Sequence, residues 1–140
     1  MNDLEIAKAN LAGHSICLCK DGKCMFSDKR GISPMLDFIA RGVELAGYSV
    51  ADRIVGKAAA LLFVKCGIKR VFAKTLSKSG KLVLEKYGAE FGYETLTEKI
   101  INREGTSVCP MEKAVMNTED AEEAFVLLKE QALRLQNKLR

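Results

Sequence analysis

Apolar residues at helical spacing are densest between positions 52 and 67. Ala58, Ala59, Leu62, Phe63 and Cys66 recur at steps of three and four, and only Lys57 and Lys65 interrupt the later turns. The pattern predicts a helix over 53–66 that is covered on most sides, as in the interior layer of an α/β domain. Asp52 reads as its N-cap and Gly67 as its closing residue. Gly56 in the first turn is unfavourable for a helix by about 1 kcal/mol relative to alanine. Together with Ala58 and the alanines after it, it lets another backbone or a ligand come close.

Before this helix, Leu4, Ala7 and Leu11 mark a short helix that ends at Gly13. Ser15 to Asp28 reads as a hairpin, because Asp21-Gly22 is a strong two-residue turn signal. That turn sets Cys19 opposite Cys24, Leu18 opposite Met25 and Cys17 opposite Phe26. One face then holds Cys17, Cys19, Cys24 and Phe26, and the other Ile16, Leu18 and Met25. Both faces are apolar, so the hairpin is expected between two layers. Ser33-Pro34 opens a further helix as N-cap and N1, with Met35, Leu36, Ile39, Ala40 and Val43 on its apolar side.

After the central helix, Val71, Phe72, Ala73 and Leu76 predict an internal strand. Ser77 caps a helix that closes at Gly88, and residues 90–94 form the next strand. Residues 52–94 thus read helix, strand, helix, strand, the signature of a parallel crossover. Thr95 to Glu98 resembles a capping box and predicts a short helix to about Arg103. Pro110 is placed as N1 of a helix through Ala114 and Val115, with Cys109 at its cap. Ala121, Ala124, Phe125, Leu128, Ala132, Leu135 and Leu139 define a final helix over 119–139. The expected architecture is a single domain, 1–140, with a mixed sheet between helices in three α/β/α layers.

Charge narrows the partners. The 140 residues carry a net charge of +4 from scattered lysines, with no arginine cluster. Nucleic-acid binding needs a concentrated basic face, so it is disfavoured. No apolar run is long enough to span a bilayer, and the first residues lack a signal-peptide pattern, so no membrane partner and a cytoplasmic location are expected. Five cysteines without framework spacing read as free thiols. Cys17, Cys19 and Cys24 read as core packing rather than a metal site, because the usual ligand loop is missing. The facing pair Cys19 and Cys24 could oxidise in air, which would be incidental.

Two places carry candidate chemistry. The start of the 53–66 helix has a partial positive charge, to which Lys57 adds a full one, and it suits an anion or polar ligand. A small-residue face packed on a sheet is the plainer account. The second place is Cys109-Pro110-Met111-Glu112. A helix start favours negative charge, which makes Cys109 a candidate nucleophile, with Glu112 one turn on. His14 is the only histidine and precedes the hairpin, so a partner base is lacking. Lys29, Arg30 and Gly31 form a small basic loop that could steer an anionic ligand. Phosphate-loop, dinucleotide, paired-histidine and serine-elbow motifs are absent.

The element order, with the 52–60 run and the Cys109–Glu112 run, resembles the cytidine-deaminase-like superfamily. It looks like an uncharacterised prokaryotic domain-of-unknown-function family in the zinc-less branch of that fold. In the zinc deaminases one helix start carries H-x-E or C-x-E and a second carries P-C-x-x-C. Here the first is Val55-Gly56-Lys57-Ala58, and Glu112 stands in the place of the second cysteine. The resemblance implies a cleft between two helix starts, with no cofactor and no metal.

The leading expectation is non-catalytic binding of a small polar or anionic molecule in that cleft. Asp52, Gly56, Lys57, Ala58, Cys109 and Glu112 would line it. One alternative is a transferase or hydrolase with Cys109 as nucleophile and Glu112 assisting. The other is an interaction module, with self-association through the 119–139 helix.

Overall fold

The hairpin turn forms as its sequence demands. Asp21 and Gly22 both take positive φ, 52° and 80°, the geometry that matches the right-handed twist of the flanking strands. The computed structural model describes residues 2–102 and 104–138. In it β1 (Ile16–Lys20) pairs antiparallel with β2 (Lys23–Ser27), with Cys17 opposite Phe26 and Cys19 opposite Cys24. The register is the one the turn predicts. Cys19 and Cys24 are joined as a disulfide, so the expectation of five free thiols is corrected. The pairing places the two residues directly across from one another, within reach of a bond.

Ahead of the hairpin, α1 (Asp3–Ala9) is opened by a capping box in which Asn2 and Glu5 exchange side-chain and backbone bonds. Then follow α2 (Ser33–Ala40), β3 (Ser49–Val55), α3 (Lys57–Lys65), β4 (Arg70–Ser77), α4 (Lys78–Lys86), β5 (Glu90–Thr97), α5 (Pro110–Ala114) and α6 (Ala121–Lys138). The five strands lie in the order β2-β1-β3-β4-β5. β1 is antiparallel to both its neighbours, whereas β3, β4 and β5 run parallel.

The largest departure from the sequence reading is at Asp52. It is not a helix cap: residues 49–55 form a central strand, and the helix starts only at Lys57 with Gly56 as N-cap. The β-branched Val50, Ile54 and Val55 favour a strand, and β3 gains hydrogen-bonded partners on both sides, from β1 and β4. The second departure is the predicted helix over 95–103. Thr95, Leu96 and Thr97 instead pair with Thr75, Leu76 and Ser77 and extend β5. Beyond it an Ile101–Val108 bridge closes a loop held by Asn102, whose Oδ1 accepts from the Thr106 N–H at 3.0 Å. Arg103 and Leu139 lie outside the described residues.

Strand alternation sorts the core into two layers. Ile16, Leu18, Val50, Val71 and Ala73 join Leu61, Leu62 and Phe63 of α3 and Leu84 of α4 in the main core. On the other face Cys17, Cys19, Ala51 and Phe72 meet Ala7 and Leu11, from α1 and the turn after it. The expected α/β/α layering with a mixed sheet is what forms, with α1 on one face. Among the described residues no helix is long and apolar enough to cross a membrane.

α6 closes the helical layer through Ala124 and Leu128. Its start is fixed by Asp120, whose Oδ1 accepts from the Glu122 and Glu123 N–H groups at 2.8 and 3.0 Å. Asp120→Ala is expected to lower stability by about 1 kcal/mol, measured by urea denaturation, with no change in the denaturant slope.

Candidate functional site

The first turn of α3 has free N–H groups that need acceptors. Glu112, from α5, supplies both: its Oε1 accepts from the Lys57 N–H and its Oε2 from the Ala58 N–H, each at 2.8 Å. Gly56 makes this possible. A Cβ there would lie 2.2 Å from the Glu112 Oε1. The close approach foreseen at Gly56 is therefore made by the chain's own carboxylate. Gly80 of α4 adds to the crowding, since its Cβ would lie 3.0 Å from the Gly56 carbonyl oxygen.

Lys57 is turned away from this pair. Its Nζ donates to the Met116 carbonyl at 3.1 Å and to Glu119 Oε1 at 3.0 Å, and its side chain is only 11% exposed. Its charge meets an internal carboxylate. It lines a smaller cavity of about 260 Å³, together with Ser79, Glu98 and Met116. Glu112 lines that cavity too, and so stands between it and a larger cleft.

The larger cleft has a volume of about 670 Å³. Asp52, Gly56, Ala58, Cys109 and Glu112 all line it; of the six residues singled out from the sequence, only Lys57 does not. It opens where the carboxyl end of β3 meets the start of antiparallel β1. Arg30 and Gly31 of the basic loop form part of its wall, as do Ile54, Met111 and Leu135.

Asp52 sits in β3 on the face that carries Val50 and the main core. It is only 8% exposed. Burial pushes its carboxyl up to about 7, against the opposing pull of the Arg53 and Ile54 backbone N–H groups and the Arg53 charge. The Arg53 N–H donates to its Oδ1 at 2.8 Å. The Arg53 guanidinium is tied elsewhere, with Nε donating to the His14 carbonyl at 2.7 Å and Nη2 to the Leu11 carbonyl at 3.3 Å.

Cys109 is the N-cap of α5 but makes no side-chain capping bond. Its own N–H donates to the Ile100 carbonyl at 2.9 Å. His14 is not brought to it. The imidazole Nδ1 lies 2.8 Å from Asp28 Oδ1, and the ring packs on Phe26 with centroids 4.6 Å apart. No Cys–His pair is assembled here. Ile54, Met111, Ile100, Ile101 and Leu135 were missed by sequence reasoning. For Ile54 the signal was available: once 49–55 is read as a strand, residues two apart share a face, so Ile54 follows Asp52.

Solved structures similar to this chain come from Thermotoga maritima. A crystal structure of a DUF1893 family protein from Thermotoga maritima is similar at a TM-score of 0.83 and 27% identity, covering 94% of this chain and 91% of that one. A diaminohydroxyphosphoribosylaminopyrimidine deaminase/5-amino-6-(5-phosphoribosylamino)uracil reductase from Thermotoga maritima is similar at a TM-score of 0.46 and 18% identity, over 66% of this chain and 34% of that one. No curated protein matches the sequence. The family model for the domain of unknown function DUF1893 matches residues 6–132. Since that match spans most of the sequence, the chain belongs to the DUF1893 family.

Proposed function

We propose that the larger cleft binds a small polar organic molecule without transforming it. The observation that carries this reading is Asp52. A desolvated carboxyl on a cleft wall lowers stability at neutral pH, and folds keep such groups where a ligand uses them. Around it the wall is mostly apolar, which suits a ligand with an apolar body and a few hydrogen-bonding groups. Asp52 would meet a donor on the ligand, and Arg30 would meet any negative group at the rim. The α3 N–H groups do not favour an anion, because Glu112 already fills them.

The superfamily placement and zinc independence belong to the same reading. A structural zinc takes four ligands and a catalytic one three plus water. Among the described residues no three potential ligands gather near the start of α3, and both Glu112 oxygens accept backbone N–H bonds. That donor set does not fit zinc.

A second reading is favoured by one observation: Cys109 shares the cleft with Asp52, whose carboxyl near 7 would suit a general base. Acyl or sulfur transfer through Cys109 would follow. The interaction-module reading has less support, since Leu128 is spent on the core.

Thermal-shift titration with nucleosides, nucleotides and phosphorylated metabolites tests these readings. Binding alone predicts stabilisation of about 3 kcal/mol at a hundredfold excess over Kd. It should survive Cys109→Ser and vanish in Ile54→Trp, which fills the cleft from an exposed strand position. Selective iodoacetamide labelling of Cys109, with loss of turnover in Cys109→Ser, would favour the enzyme instead. A panel that shifts wild type and Ile54→Trp alike would refute a cleft ligand.

A further inference from the structure

The cleft reading leaves three cysteines on the opposite face of the sheet without a role. We propose that Cys17, Cys19 and Cys24 form a reduction-dependent site for a soft monovalent metal ion, Cu(I). The three Sγ atoms all lie within 4.8 Å of one another, and Cys17 Sγ is 3.7 Å from Cys19 Sγ. A metal–thiolate bond of about 2.3 Å puts the corners of a trigonal set about 4 Å apart. The cluster therefore has the right dimensions once the Cys19–Cys24 bond is open.

The hairpin register does what a ligand loop does elsewhere. Cys17 and Cys19 project from the same face of β1, and Cys24 comes across from β2. Turn, register and α1 cover hold all three in place without a metal. Cys17 and Cys19 are fully buried, whereas Cys24 is half-exposed and gives a way in. Ala7, Leu11, Ala51 and Phe72 complete the surroundings.

Ligand chemistry selects the ion. An all-thiolate set is soft and suits Cu(I). Zinc would need a fourth ligand, which in a site of three protein ligands is water, and Cys17 and Cys19 are fully buried. Among the described residues no histidine or carboxylate joins the three sulfurs. Lys8, with its Nζ 4.3 Å from the centre of the Phe72 ring, places a positive charge beside the cluster. Opening the disulfide takes two electrons and two protons and gives two thiols; two reductant thiols supply them by becoming a disulfide, or a phosphine supplies the electrons, becoming its oxide with oxygen from water, and water supplies the protons. Binding then displaces thiol protons into solution, and copper stays in the +1 state throughout.

The full-length chain, reduced with a phosphine without oxygen, is titrated with Cu(I) against a chromophoric Cu(I) chelator. One equivalent is expected to be retained, with thiolate-to-copper absorption in the near ultraviolet. The oxidised chain is the control and should retain none. Cys24→Ser, at the half-exposed position, should weaken binding by more than the roughly 10–100-fold typical of an outer-shell change. Cys66→Ser and Cys109→Ser should bind as wild type does. Equal retention by oxidised and reduced protein, or by Cys24→Ser and wild type, would overturn the proposal. So would loss of the metal to the chelator from the reduced wild-type chain.

Discussion

Gly56→Ala is expected to lower stability by about 3 kcal/mol, although alanine can adopt the backbone conformation found there. The φ at Gly56 is −105°, an ordinary value for any residue. The obstacle is the Glu112 carboxylate, whose atoms are the nearest to an added Cβ. It sits at the end of a flexible side chain and can move aside. Moving costs it both N–H donors, and charge-assisted hydrogen bonds are worth about 1.5–3 kcal/mol each. Glu112→Ala removes the same two bonds and should cost a similar amount. For a chain of this size the midpoint of thermal unfolding should fall by about 10 °C in either variant. The double variant should be little worse than each single one, leaving a coupling of about 2 kcal/mol in a double-mutant cycle. Additive losses would show that the carboxylate and the glycine are not one device.

Asp52→Asn is expected to stabilise the protein at pH 8 and to leave it nearly unchanged at pH 4. An aspartate carboxyl ordinarily titrates at 3.8, and burial in the fold pushes that of Asp52 up to about 7. Between those values the folded chain holds a proton that the unfolded chain has lost. Stability from this group is therefore fully present below about pH 4 and declines as pH rises towards 7. At about 1.4 kcal/mol per pH unit the loss is on the order of 4 kcal/mol. Asparagine stays neutral and escapes it. Urea denaturation of both proteins across pH 4–8 reads the difference directly. A gap between them that does not change with pH would mean that Asp52 titrates normally. If the cleft ligand uses Asp52, the more stable variant should also bind more weakly, the usual exchange between stability and function at a site.

How far the sequence could be read follows from where the information lay. Asp21-Gly22 dictates its own backbone conformation, so the turn, the register and the meeting of Cys19 with Cys24 were all legible. Ser77 was legible as a cap because the bond it makes, accepting from the Gly80 N–H at 3.0 Å, lies within one turn. Asp52 was misread because its type suits a helix cap far better than a buried strand, and only pairing with β1 and β4 overrides that preference. Thr95 and Glu98 form a capping box on paper, but Thr95 is claimed by its partner Thr75 on β4.

Gly56, Cys109 and Glu112, singled out from the sequence, line one cleft, yet the part played by Glu112 was not visible. Its partners, the Lys57 and Ala58 N–H groups, lie more than fifty positions earlier in the chain. Lys57 was read as a free cation at a ligand site, and it is spent on Met116 and Glu119 instead.

The sequence by itself determined the hairpin, the parallel crossover, the layer order and the crowding at Gly56, because turn chemistry and apolar periodicity act over a few residues. Only the tertiary structure decided that an internal carboxylate fills the α3 start and that Asp52 is a buried acid on a cleft wall. Both depend on which distant groups share a desolvated space, and hydrogen-bond partnership and desolvation are set by packing rather than by neighbours along the chain.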